Sequence, residues 1–99
     1  GEVIFHIDDF AEPEILADME IDSPYDLLGL YQGLSLDQKS AGAAPADVDH
    51  IFLYRAPILD YCDASGETLS DVVRHVLIHE IGHHFGLSDA DMERIEATP

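Results

Sequence analysis

The sequence predicts an α+β domain, on three observations. Two stretches with strand character, residues 2–7 and 50–56, precede the helical end of the chain. A long helical run from Ser65 to about Phe85 follows them, and a last short helix closes the chain. Strands that precede helices in this way favour a small, mostly mixed sheet packed against the long helix and a C-terminal helix. At 99 residues, the chain is read as one domain, 1–99, with a modest core that removes roughly two thirds of the extended surface from water.

The first strand rests on alternation, with Val3, Phe5 and Ile7 on one face and Glu2, Ile4 and His6 on the other. Residues 11–19 can form a short helix, with Pro13 tolerated in the first turn, and Ser23-Pro24 is a turn. Residues 27–34, rich in Leu and Tyr but punctuated by Gly29 and Gly33, read as a second strand or extended segment. Residues 35–49 show no periodicity, and a stretch of that length usually has a binding role or is mobile. His50-Ile-Phe-Leu-Tyr-Arg-Ala56 carries the strongest strand signal, β-branched and aromatic with a stop before Pro57. Pro57 can open a short helix through Cys62.

Ser65 is the expected N-cap of the long helix, with the Glu67 charge favourable at its positive end. Gly86 suits the position just past its C-terminus. Ser88 then caps the last helix, with Asp91 three residues on completing a box-like pair. On a helical wheel Leu69, Val72, Val73, Val76 and Leu77 form one stripe, which Ile78, Ile81 and Phe85 extend around the C-terminal half.

Charge excludes several classes of partner. With 21 acidic residues against 4 basic and a net charge of −17, the chain cannot neutralise phosphates, which argues against nucleic acid and anionic membrane surfaces. No apolar run reaches the roughly 20 residues of a membrane helix, and the acidic, alternating start is not a signal peptide. The lone Cys62 excludes an internal disulfide and fits a reducing compartment, so a cytoplasmic location is expected. It reads as a small buried residue.

The chemistry is concentrated in His79-Glu80-Ile81-Gly82-His83, followed by Gly86 and Asp89, an H-E-x-x-H-x-x-G-x-x-D pattern. Histidines four apart share one helix face and can reach one zinc ion. Glu80 lies about 100° round the helix axis from His79, so it can face a metal-bound water without being a ligand. Gly86 lets the chain reverse, and Asp89 can return a third ligand, leaving the open coordination of a catalytic zinc. Glu93 and Glu96 on the last helix are rivals of Asp89. His75, one turn before His79, is assigned to an outer shell or the helix surface, and His84 to packing or hydrogen-bond donation. Metal-assisted hydrolysis follows, with Glu80 moving the proton. Tyr31, Tyr54 and Arg55 are the available oxyanion donors, although Tyr54 reads first as a strand residue and Arg55 as an ion-pair partner.

His75-Val-Leu-Ile-His-Glu-Ile-Gly-His-His-Phe-Gly-Leu-Ser-Asp-Ala-Asp-Met92 resembles the signature of the small bacterial zincin-like metallopeptidases. Leu28-Gly-Leu-Tyr-Gln-Gly33 is similar to that family's central extended segment, and Ile51-Phe-Leu-Tyr-Arg-Ala-Pro-Ile58 to its strand leading into a helix. The likeness covers roughly residues 25–97. It implies a minimal zincin-like fold, a single zinc ion held by His79, His83 and Asp89, and Glu80 as general base. Members usually have a helix before the first strand, and this chain is expected to start without one. The spacing is shared with metzincins, whose Met-turn lies well downstream. Met92 follows Asp89 by only three residues, so a full metzincin C-terminal subdomain is not expected. The expected enzyme is a zinc peptidase acting on short or unfolded peptides. The alternatives are a non-catalytic metal-binding module that keeps the site and, more remotely, a facial-triad metal centre.

Overall fold

The computed structural model describes residues 2–33 and 48–97, apart from the His84 side chain. The expectation for residues 35–47 and the role assigned to the His84 side chain therefore lie outside the described residues. Element order is β1 (Glu2–Asp8), α1 (Pro13–Asp18), a 3-10 turn (Pro24–Asp26), β2 (Gly29–Gln32), β3 (Val48–Tyr54), α2 (Arg55–Ser65), α3 (Leu69–Phe85) and α4 (Asp89–Ala97).

The most β-prone segment takes the centre of the sheet, in the order β1-β3-β2. β1 runs parallel to β3, from Glu2 opposite Val48 to Asp8 opposite Tyr54. β2 is antiparallel to β3, from Gly29 opposite Leu53 to Gln32 opposite His50. The sheet is thus mixed, as expected. β3 begins two residues earlier than its apolar run, at Val48, and ends at Tyr54, because Arg55 and Ala56 already belong to α2.

Alternation along β3 sends Phe52 and Tyr54 to one face and Ile51 and Leu53 to the other. On the first face Tyr54, Leu27 and Ala11 form a buried cluster with α1 residues Ile15 and Leu16 against it. On the second, Ile58 of α2 packs with Val72 and Val76 of α3, and Cys62 sits partly buried beside them. β1 adds hydrogen bonds rather than core. Phe5 and Ile7, expected on an apolar face, are 53% and 71% exposed.

Ser65 does not cap the long helix. It ends α2, whose C-cap Gly66 adopts the left-handed φ of 78° that a side chain disfavours. The cap of α3 is Thr68, whose hydroxyl accepts from the Asp71 backbone N–H at 3.1 Å. Ser-Gly-Glu carries both a stop and a start signal, and here the glycine acts as the stop. The apolar stripe of α3 is also only half buried. Val72 and Val76 are in the core, whereas Leu69, Ile81 and Phe85 are exposed.

One close approach positions the functional helix. A Cβ on Gly29 would meet Val76 Cγ1 at 2.5 Å and the Phe52 carbonyl oxygen at 3.1 Å, so β2 lies against α3 with no side chain between them.

Candidate metal centre

The site is carried by α3 and by the manner in which the chain reverses after it. Gly86 is left-handed, with φ 72°. Its N–H donates to the His83 carbonyl at 3.1 Å, while the Leu87 N–H donates to the Gly82 carbonyl at 2.9 Å. This is the paired bonding of a Schellman turn, which satisfies the last carbonyls of the helix. The expected box at the start of α4 is present. The Ser88 hydroxyl accepts from the Asp91 N–H at 3.1 Å, and the Asp91 carboxylate accepts from the Ser88 N–H at 3.3 Å. Bonds to the carboxylate from the Ser88 hydroxyl first and the Ser88 N–H second hold the Asp91 carboxyl below its usual range. α4 then lies back along α3, with Met92 fully buried in the space left by the missing side chain of Gly82.

His75, His79 and His83 follow one another at one-turn intervals on α3, and all three line a cleft of about 450 Å³. Glu80, Leu28, Gly29 and Val76 line it as well. That volume lies in the range of ligand pockets. Glu80 is half-buried. Burial pushes its carboxyl above the ordinary range, and the nearby His83 acts in the opposite, weaker sense. A carboxyl raised in this way is better matched to proton transfer near neutral pH than an exposed one. A second cleft shares Glu80 and His83 and continues past Gly29, Leu30 and Tyr31 of β2.

The three proposed ligands differ in placement. His79 is half-buried and His83 exposed, and both line the first cleft. Asp89 opens α4, exposed, and is not among the residues that line that cleft. Of its rivals, Glu93 is exposed, while Glu96 turns inward with its side chain only 20% exposed. Among the described residues, the three donors whose ligand atoms all lie within 4.8 Å of one another are His75, His79 and Glu96. Glu96 Oε1 approaches His75 Nδ1 to 2.7 Å, yet this buried oxygen has no partner in hydrogen-bond geometry. The sequence alone assigns His75 to an outer shell or the helix surface. The four-residue spacing that pairs His79 with His83 pairs His75 with His79 equally well, and that signal was available.

The candidate oxyanion donors separate clearly. Arg55 is held in an exposed ion pair by Asp9, with Nε donating at 2.9 Å. Tyr54 is buried in the sheet core, and burial, followed by the charges of Asp8, Glu12 and Glu80, pushes its pKa to about 12. Tyr31 lines the second cleft. Its pKa also rises to about 12, through burial first and then through donation to the Asp49 carboxylate and that group's charge. The sequence analysis names Glu67 only as a favourable charge at a helix start and does not name Tyr61. The Tyr61 hydroxyl donates to Glu67, and both line the first cleft.

A mixed sheet backed by a helix that carries H-E-x-x-H along a cleft is the arrangement of a zincin-like protein. The sequence profile of the zincin-like metallopeptidases matches residues 1–98, and the chain belongs to that family. The match takes in β1 and α1, which the residue-level likeness did not reach. No individual curated protein matches the chain. No helix among the described residues is long and apolar enough to cross a membrane.

Proposed function

We propose that the chain is a zinc-dependent peptidase of short or unfolded peptides, with His79, His83 and Asp89 as metal ligands and Glu80 as general base. Two imidazoles and a carboxylate are a donor set whose chemistry suits zinc; His79 and His83 line one cleft with Glu80, and Asp89 lies outside its lining. A zinc ion held there would act as a Lewis acid and bring the pKa of a bound water to about 7. Glu80 takes the proton as the water oxygen bonds to the peptide carbonyl carbon. It then passes that proton to the amine nitrogen as the C–N bond breaks. Gly29 lies against Glu80, whose Cγ is 3.4 Å from where a glycine Cβ would stand. β2 is an edge strand among the described residues, so an extended peptide paired along it would pass the general base.

The observation that carries this reading is a half-buried carboxylate that lines one cleft together with two imidazoles of the same helix. Glu80→Gln should keep its zinc and lower peptide cleavage by about 10²–10⁴-fold, the usual share of a general base. The second reading, a metal-binding module without hydrolytic activity, draws on the exposed position of Asp89 outside the cleft. Equal, near-zero cleavage by wild type and Glu80→Gln across a diverse peptide library would favour it.

A further inference from the structure

We propose that His75, His79 and Glu96 form a second position for a divalent transition-metal ion, one helical turn before the motif centre and sharing His79 with it. The sharing rests on the motif reading above; the second position itself does not.

The geometry comes from two helices. His75 and His79 stand on consecutive turns of α3 with ring centroids 4.5 Å apart, tilted by 53°. Glu96 comes from the far end of α4, and all three ligand atoms lie within 4.8 Å of one another. Donors on a tetrahedral zinc with bonds of about 2.0–2.1 Å stand roughly 3.3 Å apart. Small rotations of His75, whose side chain is 58% exposed, and of the Glu96 side chain would close that difference.

Chemistry selects the ligand class. A buried carboxylate oxygen is costly unless something pairs with it, and Glu96 Oε1 is buried without a hydrogen bond. A protonated His75 could pair with it electrostatically, but that pair gives His79 no part. A cation gives all three groups one partner. Two imidazoles with one carboxylate favour zinc, cobalt or nickel over magnesium or calcium, which prefer an all-oxygen shell.

An ion at this position ties α4 to α3 and draws on the histidine that the motif centre needs. Zinc bound there therefore stabilises the fold and competes with the catalytic arrangement.

The test is zinc titration of the metal-stripped protein against a chelating indicator, with thermal melting and circular dichroism alongside. Four proteins are compared: wild type, His83→Ala/Asp89→Asn, His75→Ala/Glu96→Gln and His79→Ala. The first double variant should still bind one zinc ion and melt higher with zinc than without. His79→Ala should bind more than about a hundredfold more weakly than wild type, beyond the loss that removal of an outer partner produces. If His83→Ala/Asp89→Asn binds no zinc while wild type does, the second position is overturned and the motif centre stands. If instead His75→Ala/Glu96→Gln loses zinc while the other double variant matches wild type, the second position stands and the motif reading fails. Should the first double variant not fold, His83→Gln alone carries the same comparison.

Discussion

The chain contains two histidine pairs of similar spacing and different character. On the sheet, His6 Nε2 and His50 Nδ1 are 2.8 Å apart, one imidazole donating to the other. The His6 ring also stacks on its cross-strand neighbour Phe52 at 4.5 Å. On the long helix, the His75 and His79 rings are as close, but they line a cleft and have Glu96 behind them. The sheet pair satisfies itself: one proton is shared and an aromatic face covers a ring. The helix pair faces a carboxylate and a space large enough for a ligand. Histidines become candidate ligands through the third group that they face and not through proximity to each other.

His79→Ala breaks this contrast most sharply. It should weaken zinc binding by more than about a hundredfold and abolish peptide cleavage. His6→Ala, by contrast, should leave zinc affinity unchanged and cost about 1 kcal/mol in stability, the usual net worth of one hydrogen bond. Zinc titration and urea unfolding of the two variants read both effects.

Gly29→Ala comes next. Its methyl would meet a stiff β-branched side chain and a backbone carbonyl, so β2 and α3 must part, at about 1–3 kcal/mol. A lower urea midpoint at unchanged slope checks this. If the cleft depends on that contact, cleavage falls as well, whereas loss of the sheet histidines spares it.

Cap substitutions sharpen the boundary between α2 and α3. Thr68→Ala should cost about 1 kcal/mol. Ser65→Ala should stay within about 0.5 kcal/mol, like other surface changes, because the Ser65 hydroxyl accepts only from the Glu67 N–H in a local turn. The reverse order would reinstate Ser65 as the cap.

The smallest effect is a pH limb on the sheet side. The folded state raises Tyr31 from 10.0 to about 12, so it holds that proton more tightly than the unfolded chain does. The stability from this group is complete below pH 10 and is lost as pH rises through about 12. Urea midpoints should decline over that window in wild type and decline less in Tyr31→Phe.

The legible part of the molecule was the part written in local periodicity. The terminating Gly86 and the Ser88–Asp91 box each take the expected place, and the histidines four apart lie on the expected helix and line one cleft. β3 was legible because its residue types leave little choice. Errors arose where one signal served two purposes or where the deciding contact was distant. Ser65-Gly66-Glu67 reads as a start and is a stop. Alternation in β1 predicts two faces and is silent about which of them is covered; Phe5 and Ile7, on the apolar one, are exposed. Glu96 was named among the rival ligands, yet its approach to His75 depends on the angle at which α4 returns, and no spacing rule over twenty residues specifies that angle.

That angle is set in part at Gly82, where a bare backbone faces the Met92 thioether. An unbranched sulfur side chain adapts its shape to a notch but cannot share it with a further carbon. The closing helix is therefore seated over residue 82 by the absence of a side chain there. A methyl added there would reach the cleft indirectly, by shifting Glu96 relative to His75.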